Sequence, residues 1–209
     1  MMYNDRSHAG RLLAEKLLEY EGEDTVVYAL PRGGVVLGYE VAKLLGCPLD
    51  LVVTRKIGHP FSPEYAICAV SENAPAICNE HETRKMEKHW LEYEISKQRK
   101  EIQRRKSTYP APWISPEGKT AIIIDDGIAT GLTIQSAIEE IRLQKPKLLI
   151  AAVPVSPDDT AAKLSKMVDR LVCLDIPAYY LGAVGSYYYD FRQVSDSEVI
   201  ELLRLANKK

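Results

Sequence analysis

One run of thirteen residues constrains this chain more than any other: Ala121-Ile-Ile-Ile-Asp-Asp-Gly-Ile-Ala-Thr-Gly-Leu-Thr133. Ala121 to Ile124 read as a short strand buried on both faces. Two adjacent carboxylates follow, Asp125 and Asp126, then a loop of small and hydroxylated residues. From Leu132 the apolar spacing of Leu132, Ala137, Ile138 and Ile141 is helical. In an open α/β sheet, ligands bind beyond the C-terminal ends of the strands. A helix N-terminus there offers unpaired amides and a positive dipole end, which suits a phosphate. Gly127, Ala129 and Gly131 let backbone approach an anion, and Thr130 and Thr133 add hydroxyl donors. Asp125 and Asp126 would repel that phosphate. They suit sugar hydroxyls or a Mg²⁺ ion shared with the ligand. The chemistry described is that of a phosphorylated sugar.

The run resembles the 5-phosphoribosyl-1-pyrophosphate (PRPP) motif of type I phosphoribosyltransferases. A strand ending in two acids also occurs beside nucleotide-binding P-loops, but the Gly-x-x-x-x-Gly-Lys-Ser/Thr loop such a site needs is missing from the sequence. The resemblance extends to Val27-Tyr-Ala-Leu-Pro-Arg-Gly-Gly34, Arg55-Lys-Ile-Gly-His-Pro60, the long charged helix, Ala183-Val-Gly185 and Tyr188 to Phe191. Together these are similar to a bacterial and archaeal group of phosphoribosyltransferases of undefined acceptor. The fold it implies is α/β: a central parallel sheet flanked by helices, with a small hood subdomain and a flexible closing loop. Cys68, in Ala66-Ile-Cys-Ala, and Leu132 depart from the residues expected at those places, glycine and a small residue.

The rest of the chain is consistent with that plan. A length of 209 residues and an apolar content of 46% predict one domain with a full core. Its core is expected over about 20–174, a charged helical insertion over about 82–106, and a hood over about 175–209 joined by the N-terminal helix. That helix is read over Ser7 to Tyr20, with Ser7 as cap and Arg6 as a solvated charge. Thr25 to Leu30 is a strand that runs into Pro31-Arg32-Gly33-Gly34 and a helix from Val35 to Leu45. Leu49 to Thr54 is the next strand. Gly58, Pro60 and Pro63 predict an irregular loop over 55–65. Ile67 to Val70 and Pro75 to Cys78 form a small hairpin. Lys147 to Val153, a helix after Pro157, Arg170 to Leu174 and a final helix over Asp196 to Leu205 complete a βα alternation.

The resemblance assigns roles. Asp125 and Asp126 hold the ribose hydroxyls or the metal. Gly127, Ala129, Thr130, Gly131 and Thr133 hold the 5′-phosphate. Arg32, Gly33 and Gly34 form the pyrophosphate loop, which Arg55 and Lys56 assist as catalytic cations. Arg105, His59, Tyr180 and Tyr188 are further candidates, the tyrosines for an acceptor base. The implied enzyme moves phosphoribose from PRPP, with Mg²⁺, to a nucleobase-like nitrogen acceptor and releases pyrophosphate. Net charge of −2 gives no bias toward nucleic acid or anionic membranes. Nine cations against five anions over 82–106 keep a second reading open, a PRPP-sensing or nucleic-acid-binding module without turnover. A third reading is another sugar phosphate as substrate. Neither a spanning run nor a signal core is visible, so the cytoplasm is expected. Cys47, Cys68, Cys78 and Cys173 are expected as free thiols. Five tyrosines within 176–191 offer either a stacking site or a homodimer contact.

Overall fold

Five buried segments assemble the centre of the computed structural model, which describes residues 1–208. They are β1 (Thr25–Ala29), β2 (Leu49–Leu51), β6 (Thr120–Ile124), β7 (Leu148–Val155) and β8 (Arg170–Asp175), in the order β2-β1-β6-β7-β8. Every pairing is parallel. All five residues of β6 are buried, because helices cover the sheet on both sides. The alternation of a strand then divides them. Ile122 and Ile124 join one core with α1 (Arg6–Glu15), α2 (Gly33–Leu45) and α7 (Asp196–Ala206). Ala121 and Ile123 join the other, against α5 (Leu132–Arg142) and Leu164 of α6 (Asp158–Leu164). Burying each of these isoleucines is worth about 2–3 kcal/mol.

Strand order reverses between β1 and β6. The connection after β1 leads outward to β2, and the connection after β6 leads the other way to β7. The loops leaving these two strands therefore diverge from a shared crevice, the usual position of a ligand in such sheets.

A second, antiparallel sheet stands beside the first: β3 (Arg55–His59), β4 (Ser62–Val70) and β5 (Ile77–Cys78). Glu140 of α5 fixes it to the core by accepting from the amides of Asn73 and Ala74 at 2.8 and 2.9 Å. Arg99 of α4 (Lys88–Thr108) reaches the same turn, donating to the Ala74 carbonyl at 2.7 Å.

Several sequence expectations are corrected. The strand expected to reach Thr54 stops at Leu51. Residues 55–65 are not an irregular loop but most of the β3–β4 hairpin, with register shifts around Gly58 that absorb the glycine and prolines. The charged helix is two helices, α3 (Glu80–Thr83) and α4, broken where Glu87 takes an extended conformation. No glycine or proline marks that break. The cap of α1 is Asp5, whose carboxylate accepts from His8 N at 2.7 Å, rather than Ser7. Cys68 and Cys78 are not free. They lie opposite one another on β4 and β5 and form a disulfide, while Cys47 and Cys173 are free. Among the described residues, no helix is long and apolar enough to cross a membrane.

Tyr3 and Asn4 run beside residues 187–190. Tyr3 N donates to Tyr187 O at 2.8 Å, Tyr189 N to Tyr3 O at 2.9 Å, and Asp190 N to Asn4 O at 2.9 Å. The Tyr3 hydroxyl anchors this strap by donating to Pro154 O at 2.8 Å.

Candidate active site

The crevice is a cavity of about 560 Å³. Its floor is the end of β6, where Asp125 and Asp126 stand side by side. Gly127 through Gly131 and Thr133 form one wall. Gly131 has φ 73°, a left-handed conformation costly for other residues, and starts α5 with no side-chain cap. The first amides of α5 thus have no side-chain cap. Leu132 is buried, so its side chain does not obstruct the wall.

Cations gather opposite. Arg32 comes from the β1–α2 loop, whose Pro31–Arg32 peptide is cis, and Gly33 is the first residue of α2. Arg55 and Lys56 come from β3, and Arg105 from α4. Burial, with Arg105 beside it, lowers the Arg55 pKa from its ordinary value. Its Nε donates to Gln98 Oε1 at 3.1 Å, which aims the guanidinium. A concentration of positive charge that perturbs its own members is well matched to a polyanionic ligand.

The carboxylates are not equivalent. Burial and then the neighbouring Asp126 push the Asp125 pKa well above the usual carboxylate range. Burial also raises that of Asp126, against the opposing pull of Arg6. Arg6 Nε donates to Asp126 Oδ2 at 2.7 Å, an ion pair with side-chain exposures of 11% and 16%. Gly33 lets the pair form: a Cβ there would lie 1.9 Å from Asp126 Oδ2 and 2.8 Å from Arg6 Nε.

Several of the residues singled out in the sequence stand apart from the cavity. Gly34 packs against Ile124 O, at the start of α2. Tyr188 is 5% exposed, and its hydroxyl donates to Asp126 O at 2.6 Å, so it supports the floor instead of facing an acceptor. Tyr180 packs on Tyr187, and its buried hydroxyl has no partner among the described residues. His59 belongs to the hairpin, where its Nδ1 accepts from Phe61 N at 3.2 Å. Sequence reasoning passed over Tyr65, Val184 and Arg6. The first two line the cavity, and Arg6 supports it. Exposed Tyr179, Leu181 and Tyr189 are the part of the tyrosine-rich tail that faces outward.

The charged helix pairs part of its charge. Lys97 meets Glu94, Arg104 and Arg105 meet Glu101, and Lys106 meets Glu72 of the β4–β5 turn.

The family model described as "Phosphoribosyl transferase domain" matches residues 3–190. The chain belongs to this family. It is 39% identical over 211 residues to two Mycobacterium tuberculosis proteins, from strains H37Rv and CDC 1551, that carry provisional phosphoribosyl transferase names. The match takes in 99% of this chain and 47% of each relative, so the chain spans about half the length of those proteins. A crystal structure of TT1426 from Thermus thermophilus is 36% identical with a TM-score of 0.79, covering 97% of this chain and 98% of that one. The AQ2163 protein of Aquifex aeolicus, 11% identical with a TM-score of 0.53 over 82% of this chain and 74% of that one, shares the fold. A central parallel sheet between helices is therefore the phosphoribosyl transferase architecture in this chain as well.

Proposed function

We propose that this domain transfers phosphoribose from PRPP to a nucleobase-like nitrogen acceptor and releases pyrophosphate. One observation carries the reading: an uncapped helix start, a carboxylate pair and a cluster of cations open into a single cavity. Amides and hydroxyls of Gly127 to Gly131 and Thr133 hold the 5′-phosphate. Asp125 and Asp126 take the ribose hydroxyls. Arg32, Arg55, Lys56 and Arg105 hold the diphosphate and favour the charge it gains on leaving. As the bond from the anomeric carbon to the diphosphate breaks, the sugar becomes cationic, and the carboxylates beneath it offset that charge. Holding the sugar in line with the acceptor supplies the rest.

The residues fit Mg²⁺ as a companion of the diphosphate rather than as a resident ion. Among the described residues no group of three or more His, Cys, Asp or Glu is gathered for a metal. Asp125 and the second oxygen of Asp126 are the side chains that would contact it, directly or through water. When bound, it would neutralise the diphosphate.

The test is calorimetric titration with PRPP and Mg²⁺, beside an Asp125→Asn, Asp126→Asn double variant. Binding by the wild type that the variant loses is the expected result, and a screen of bases for pyrophosphate release follows from it. No binding by the wild type refutes the proposal.

A further inference from the structure

Arg6 lies 120 positions before Asp126 in the chain, yet it is that residue's charged partner. Its Nε donates to Asp126 Oδ2 at 2.7 Å. One of its terminal nitrogens donates to the Arg192 carbonyl at 2.7 Å. Its guanidinium lies 3.8 Å from the centre of the Phe191 ring. The side chain is thus held from three sides: by the carboxylate, by a tail carbonyl and by an aromatic face. A further contact secures the backbone of the same aspartate, since Tyr188 donates to the Asp126 carbonyl oxygen at 2.6 Å.

This arrangement exceeds what attaching a terminus requires. The strap already has three backbone hydrogen bonds and the Tyr3 hydroxyl. A buried ion pair is a poor way to add stability, because removing both charges from water costs about as much as their attraction returns. What the pair achieves is orientation. With Oδ2 committed to Arg6, Asp126 has Oδ1 left for the cavity that it lines.

We propose that Arg6 is a positioning residue of the sugar site, fixing the Asp126 carboxylate so that a single oxygen is presented to a ribose hydroxyl. The inference rests on the sugar-phosphate reading above and names a residue that reading does not require. Among the described residues Asp125 has no ion-pair partner; its Oδ1 accepts from Asp126 N at 2.9 Å. The two carboxylates are therefore held by different means, one by a neighbouring amide and one by a cation 120 positions away in the chain. A carboxylate held this way discriminates a hydroxyl from a hydrogen, because its remaining oxygen cannot rotate to another partner.

The test compares ribose 5-phosphate with its 2-deoxy and 3-deoxy analogues, titrated calorimetrically into wild type, Arg6→Gln, Arg6→Lys and Tyr3→Phe proteins. The wild type is expected to prefer the ribo sugar over one of the deoxy analogues by about ten-fold or more. Arg6→Gln should bring that ratio close to one while leaving affinity for inorganic phosphate within two-fold. Arg6→Lys, which keeps the charge, should recover part of the preference. Tyr3→Phe loosens the strap through Pro154 without touching Arg6; it should lower the melting temperature and keep the preference. An Arg6→Gln protein that retains the wild-type ratio overturns the inference, as does a Tyr3→Phe protein that loses it. If Arg6→Gln does not fold, the Arg6→Lys ratio decides, with an unchanged value and a broken fit to phosphate counting against positioning. A wild type that binds none of the sugar phosphates refutes the site reading itself, a result separable from the others.

Discussion

Adding one methyl group at Gly33 should separate stability from ligand binding in this domain. The alanine Cβ would stand 1.9 Å from Asp126 Oδ2 and 2.7 Å from its Cγ. Real Cβ contacts essentially never fall below 3.0 Å, so the carboxylate must retreat by at least about 1.1 Å. It cannot do so without leaving Arg6 Nε, itself 2.8 Å from the new atom. Overpacking of this kind costs about 1–3 kcal/mol. Gly33 is also the first residue of α2, where alanine gains up to about 1 kcal/mol over glycine. Net destabilisation should stay at or below about 3 kcal/mol. The function should suffer more, because a charge-assisted hydrogen bond displaced by an ångström forfeits about ten- to a hundred-fold in affinity. Thermal melts and calorimetry with PRPP and Mg²⁺ on Gly33→Ala measure both quantities. Binding within two-fold of wild type would refute the argument, since it would mean that the carboxylate position does not matter.

Three further outcomes follow from the geometry. Lys56→Ala should lose at least about ten-fold in affinity for PRPP while ribose 5-phosphate binding stays unchanged, since only the former carries the diphosphate; calorimetry on both ligands checks it. Cys78→Ser opens a disulfide that closes a span of 10 residues and should cost about 2–3 kcal/mol, and reductant should bring the wild-type melt to meet the variant's. Burial alone would raise the Glu140 pKa, but the amides of Asn73 and Ala74 outweigh it and hold the carboxyl below its ordinary value. Its contribution is therefore present above the unfolded value of about 4.5 and is lost as pH falls through the folded value. Urea denaturation of Glu140→Gln should show a deficit of about 2 kcal/mol that holds from pH 7 down to about pH 4.5 and shrinks only as the pH falls further.

What the sequence made legible follows from distance along the chain. The strand, acidic pair, small-residue loop and helix of 120–142 are local, so periodicity and residue type were sufficient to read them. The cation loop after β1 was readable for the same reason. Arg6 was not, because its partner is 120 positions away and nothing in Asn4-Asp5-Arg6 distinguishes an ion pair from a solvated charge. Tyr188 showed the opposite fault. Its aromatic neighbourhood pointed to ligand stacking, but burial and a carbonyl partner made it a support for Asp126. The hairpin at 55–70 was hidden by glycine and prolines that a bulge accommodates, and the Cys68–Cys78 bond by a register that only the folded ladder reveals.

The joining of Tyr3 and Asn4 to residues 187–190 also has a consequence in time. During synthesis, Arg6 precedes Phe191 and Arg192 by 185 positions or more and is held only once they arrive. The α2–β1–β6 core can consolidate long before that, through shorter loops whose closure is entropically cheaper. Assembly of the sugar-binding floor is then the last act of folding. In a refolding experiment, recovery of ligand affinity should lag behind recovery of helical circular dichroism, and a nascent domain would acquire its binding capacity only when synthesis of this stretch is finished.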